Sequence, residues 1–138
     1  MGRTDIYGYD LDGVLCPDLD VQRILPGDLM SIVNARYSMK PLFIPKHDYF
    51  FIVTGRPRGD YQDTYTWAQN YFGLRCRLVH NSEDRVLNTE ESAVFKSTVV
   101  EEEGITIFIE SCEKIANRMA QLLPSKTIIT FSELCILG

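Results

Sequence analysis

Five short apolar runs alternate with longer stretches of helical spacing, and that alternation narrows the possible folds more than any other feature of the chain. The runs are "DIYGYDL" (5–11), "YFFIVT" (49–54), "RLVHN" (77–81), "GITIFIE" (104–110) and "KTIITF" (126–131). They are too short for stable helices, and the later ones are rich in β-branched residues. Strands of a parallel sheet, buried on both faces, read as near-continuous apolar runs of this kind. Between them, "DYQDTYTWAQNYFG" (60–73) sets Tyr61, Tyr65, Ala68 and Phe72 at helical spacing and stops at Gly73. "ESCEKIANRMAQLLP" (110–124) aligns Ile115, Met119, Leu122 and Leu123, with Pro124 just beyond. Strands alternating with helices imply βαβ units joined by right-handed crossovers. The expected fold is therefore α/β, a three-layer α/β/α sandwich with a central parallel sheet and helices on both faces.

A chain of 138 residues is one domain by length, 1–138, with room for one core. The stretch 16–47 reads as an insert between strands 1 and 2. It holds one helix over 26–38, with Pro26 early and Asp28 near the positive end of the helix dipole. The insert is too short for a large cap domain. Hydrophobic residues make up 45% and charged residues 24%, which excludes disordered and collagenous classes. A net charge of -5 argues against a dedicated nucleic-acid binder, although a local basic patch can hide in an acidic total. No apolar run approaches the roughly 18 to 20 residues of a membrane helix, and "MGRTDIYG" carries no signal-peptide core. No membrane partner and a cytoplasmic location are expected. Cys16, Cys76, Cys112 and Cys135 form no CxxC pair and read as free thiols, Cys112 and Cys135 as small hydrophobes beside apolar stretches.

In an open parallel sheet, ligands bind beyond the carboxyl ends of the strands. Here those ends carry chemistry: Asp10 and Asp12 after the first strand, Thr54, Gly55 and Arg56 after the second, and Glu110 at the end of "GITIFIE". Lys96 lies between the last two. Alternation leaves Asp10 and Asp12 on one side of the pleat, and a turn at Gly13 lets the second carboxylate swing to face the first across a ligand.

"YDLDGVL", "FIVTGRP", Lys96 in "SAVFKSTVV" and "FIES" together resemble, in order, the four motifs of the haloacid dehalogenase superfamily of phosphohydrolases, over residues 5 to about 120. "DGVLCPD", "PLFIP", "FK" and "FIES" are also similar to small members that accompany phosphoribosyltransferase domains in some bacterial proteins. The resemblance implies a small, capless or minimally capped Mg²⁺-dependent phosphomonoesterase. Asp10 would be the nucleophile and Asp12 the proton carrier. Thr54, Gly55 and Lys96 would hold the phosphoryl group, and Asp10, Asp12 (through its backbone carbonyl) and Glu110 would hold the ion. The chemistry is coherent. A carboxylate can attack phosphorus and split hydrolysis into two displacements, and a hard cation with oxygen ligands offsets the repulsion between two anions. The resemblance further implies, since dehalogenases of that superfamily lack the second aspartate, that Asp12 argues against carbon–halogen chemistry. The implied partner is a phosphorylated metabolite, a nucleotide or a nucleic-acid end.

Rival readings stand beside these. A lone DxDG also occurs in calcium loops and turns, Thr54 is a plausible helix cap, and Lys114 competes with Lys96. Glu113 either reaches the ion through water or simply occupies the first turn of a helix, where acids are favoured. Arg56 and Arg58 are either an anion fork or loop solvation. His47 and His80 lack partners at metal spacing and read as surface or capping residues, Trp67 as packing, Asp18 and Asp20 as turn residues. A catalytically weak phosphate-binding or regulatory module is the second functional class, and a response-regulator-like receiver, which lacks the DxDG form, the third.

Overall fold

The computed structural model of the chain describes residues 4–17 and 39–137. The helix expected over 26–38 lies outside the described residues, as do Asp18 and Asp20. Strands β1 (Tyr7–Asp10), β2 (Phe50–Thr54), β3 (Cys76–His80), β4 (Ile107–Glu110) and β5 (Thr127–Thr130) form one sheet in the order β3-β2-β1-β4-β5. Every neighbouring pair is parallel. Helices α1 (Tyr61–Phe72), α2 (Thr89–Glu103), α3 (Glu113–Leu122) and α4 (Phe131–Leu137) complete the described elements, with single 3-10 turns at Arg58–Asp60 and Gly73–Arg75. The expected α/β sandwich is the observed architecture. No helix among the described residues is long and apolar enough to cross a membrane.

Pleat alternation divides the core in two. Tyr9, Phe50, Ile52 and Ile109 face one side, where Trp67, Ala68 and Phe72 of α1 pack, with Phe131 and Leu134 of α4 at the margin. Phe51, Val53 and Phe108 face the other, against Ala93, Val99 and Val100 of α2 and Met119 of α3. Burying each large side chain of this kind contributes about 1.5–3 kcal/mol. Gly8 lies on the second face, where an added Cβ would come within 2.9 Å of the Phe108 ring and 3.0 Å of Ile105.

The stripes drawn from spacing need correction at their edges. In α1 the buried residues are Thr64, Trp67, Ala68 and Phe72, while Tyr61 and Tyr65 are 44% and 41% exposed and stack on each other. Trp67 is core, and its indole N–H donates to the Met39 carbonyl at 2.8 Å. In α3, Leu122 is exposed and Met119 buried, as is Leu123 just past the helix end. No disulfide joins the four cysteines, as expected, but the buried pair is Cys16 and Cys76, and Cys135 is exposed.

Candidate functional site

Chain order runs β1 to β3 outward in one direction and returns to β4 on the other side of β1, so the switch of direction falls between β1 and β4. Asp10 ends β1 and Glu110 ends β4. By alternation both side chains point to the face that α2 covers, and α2 delivers Lys96 there. Lys96 Nζ donates to Asp10 Oδ1 at 3.0 Å and to Glu110 Oε1 at 2.6 Å. All three side chains are buried. Helix α2 is anchored by a capping box in which the Asn88 side chain accepts from the Glu91 N–H at 2.8 Å and Glu91 accepts from the Asn88 N–H at 3.1 Å.

The other carboxylate oxygens are also met. Asp10 Oδ1 accepts the Leu11 N–H at 2.9 Å, and Asp10 Oδ2 accepts the Ser111 hydroxyl at 2.8 Å. Glu110 Oε2 accepts the Cys112 N–H at 3.0 Å and lies 3.3 Å from Ser111 Oγ. Burial works against the Asp10 charge, yet the Lys96 ammonium and these hydrogen bonds outweigh it and hold the carboxyl below its ordinary range. Glu110 goes the other way: burial first, then the Asp10 charge, push it up to about 7. Burial opposes the Lys96 charge, but the two carboxylates prevail and raise its pKa.

Asp12 is placed differently. Both its oxygens are taken by Arg56, Nε at 2.8 Å and a terminal nitrogen at 2.5 Å. The other terminal nitrogen of Arg56 donates to Thr64 Oγ1 at 3.1 Å. Arg56 is 8% exposed, so it is neither loop solvation nor a free anion fork. It ties the loop after β1 to α1. At the turn, Gly13 has φ 84°, and a Cβ there would lie 2.8 Å from Ser111 Cβ, so the loops after β1 and β4 touch only because this residue is glycine.

Asp10, Asp12, Thr54, Gly55, Lys96 and Glu110 all line one cleft of about 250 Å³. The structure brings every residue singled out for catalysis, phosphate or metal to one place. Thr54 is buried, and its hydroxyl oxygen accepts the Arg56 N–H at 3.2 Å, leaving its proton for another acceptor. It is not the cap of α1, whose N-cap is Asp60. Glu113 occupies the first turn of α3, and neither it nor Lys114 lines the cleft. Ser111, which bridges both acids, was missed by sequence reasoning. Its only signal is its place directly after Glu110 at a strand end. Depressions of about 510 and 520 Å³ lie elsewhere, so chemistry and not size selects this cleft. His47, half-buried at the surface, stacks on Tyr7 at 3.8 Å and meets the Tyr9 hydroxyl at 2.9 Å.

Among the described residues no three His, Cys, Asp or Glu side chains form a ready-made metal cage. Once Glu110 is ionised, two carboxylates against one ammonium nevertheless leave a surplus negative charge lined with oxygen donors. Asp12, its carboxylate engaged by Arg56, has its backbone carbonyl to add. That set fits a hard divalent ion of the Mg²⁺ type, which takes one or two carboxylates and keeps most of its water. Comparison with protein-family models and with curated proteins finds no match for this chain.

Proposed function

We propose that the chain is a phosphomonoesterase of the haloacid dehalogenase type, acting through an aspartyl-phosphate on Asp10 with Mg²⁺ as cofactor. The observation that carries this reading is the convergence of Asp10 and Glu110 on Lys96 across the sheet's switch point. Asp10 is the ionised acid of the pair, as a nucleophile must be. Its carboxylate oxygen attacks phosphorus and the bond to the leaving oxygen breaks. A water then attacks phosphorus, the bond to Asp10 breaks, and inorganic phosphate departs. Thr54, through its free hydroxyl proton, and Lys96 bind and orient the phosphoryl oxygens. Asp12 carries the proton to the leaving oxygen and from the water, which requires it to loosen one of its two bonds to Arg56. Bound Mg²⁺ supplies positive charge that offsets the repulsion between Asp10 and the phosphate.

The test is hydrolysis of an aryl phosphate with and without Mg²⁺, by wild type and Asp10→Asn. Metal-dependent turnover that the substitution abolishes is the expected result. The second reading, a weak phosphate-binding module, draws on Glu110, which the buried site pushes toward its neutral form. No turnover by either protein, with phosphate still bound, would favour it.

A further inference from the structure

Where β3 ends beside the start of α1, a second cleft of about 510 Å³ opens, lined by Arg58, Tyr61, Gln62, His80, Asn81 and Ser82. It shares a wall with the acid cleft: Arg56 and Pro57 line one, Arg58 and Gly59 the other. Asn81 fastens the wall, its N–H donating to the Thr54 carbonyl at 3.0 Å and its side chain to the Gly55 carbonyl at 3.3 Å. His80 is near enough to Asp12 and Arg56 to feel both charges. A group attached to a phosphate at Asp10 therefore has this cleft within reach, and its volume is twice that of the acid cleft.

The lining specifies what fits. Tyr61 offers a ring that is 44% exposed and backed by Tyr65, with centroids 6.0 Å apart and planes at 23°. His80 Nδ1 lies 3.0 Å from the Asn81 carbonyl, which can only accept, so Nδ1 holds the proton. Burial, with the Arg56 charge, lowers the imidazole's pKa below its ordinary 6.5, and in the neutral ring with its proton on Nδ1, Nε2 is an acceptor. It is buried with no partner, under the edge-on ring of Tyr61 at 5.5 Å. An unpaired buried acceptor is costly, and a ligand N–H recovers that cost. A ligand N–H reaches Nε2 only if the half-exposed Tyr61 ring turns off it.

We propose that this cleft binds the leaving group of the substrate, and that it takes a nucleobase, stacked on Tyr61 with an N–H directed at His80. The proposal rests on the phosphatase reading for its place in the reaction, and the binding half of its test does not.

The full chain is titrated with adenosine and guanosine, with ribose as the ring-free control, and followed by ¹H–¹⁵N NMR. The nucleosides are expected to shift the amides of Gly59, Tyr61, His80 and Asn81 and the His80 Nε2 resonance, and ribose to leave them in place. Tyr61→Ala weakens nucleoside binding about tenfold, whereas Tyr61→Phe, which keeps the ring, retains it. Absence of these shifts up to about 10 mM nucleoside overturns the proposal. In the hydrolysis arm, 5′-AMP and a 5′-phosphorylated oligonucleotide are compared with glycerol phosphate. A preference of about tenfold for either base-bearing substrate supports the subsite, and which of the two is faster identifies the source of the base. Equal rates for all three overturn the subsite and leave the phosphatase standing. Nucleoside binding without any turnover upholds the subsite and overturns the phosphatase.

Discussion

Lys96 Nζ stands between Asp10 Oδ1 at 3.0 Å and Glu110 Oε1 at 2.6 Å, joining residues 86 and 14 positions away in the chain. With its side chain only 6% exposed, it is the cation that makes two buried carboxylates tolerable. Lys96→Ala is expected to cost about 3–5 kcal/mol in urea unfolding, because it leaves two buried acids without a counter-charge. Adding Glu110→Gln to that variant should restore part of the loss. A Lys96→Ala protein as stable as wild type would show that the cluster is not a unit.

Glu110 sets a pH dependence. Its folded pKa of about 7 exceeds the ordinary 4.5, so between those values the folded chain holds a proton that the unfolded chain has released. Metal-free stability should therefore fall by roughly 2–3 kcal/mol as pH rises from about 4.5 to about 7. Glu110→Gln should flatten that slope. Asp10 acts in the opposite sense: its lowered pKa adds stability that is lost as pH falls below its ordinary 3.8. Urea midpoints at several pH values in the presence of a chelator give both signs.

Arg56 holds Asp12 and Thr64 together, so Arg56→Lys, which cannot reproduce the fork, is expected to lower kcat by about tenfold or more while changing KM little. Because Asp12 remains partly exposed, the accompanying loss of stability should be only about 1–2 kcal/mol. A rise in KM at constant kcat would mean that Arg56 binds substrate directly.

Gly13→Ala should destabilise the chain by about 1–3 kcal/mol, since it combines a φ of 84° with a Cβ 2.8 Å from Ser111 Cβ. Ser111 cannot retreat without releasing Asp10 Oδ2. Activity should fall further than stability predicts. Thermal unfolding and turnover measured on one preparation separate the two effects.

All five strands were legible, because runs such as "FFIVT" are apolar on both faces and too short to be anything else. Helices α1 and α3 were legible from their apolar spacing and from Gly73 and Pro124. The bounds of α2 were not. Its buried face mixes Ser92, Lys96 and Ser97 with Ala93, Val99 and Val100, so the residue that serves the site also erases the stripe that would have marked the helix. The stripe of α1 was misjudged because Tyr61 and Tyr65 share the spacing of core residues while facing out.

The order of residues determined the sheet, its parallel character and the short list of groups that could do chemistry, since backbone preference and apolar periodicity act over a few neighbouring positions. Which of those groups touch was decided only by the folded chain. That Arg56 serves Asp12, that Ser111 spans two acids, and that His80 keeps an unmet acceptor beside the cleft are consequences of which strand lies next to which. Charge and hydrogen bonding act through space, over a few ångströms, between positions that the linear sequence sets as many as 101 residues apart.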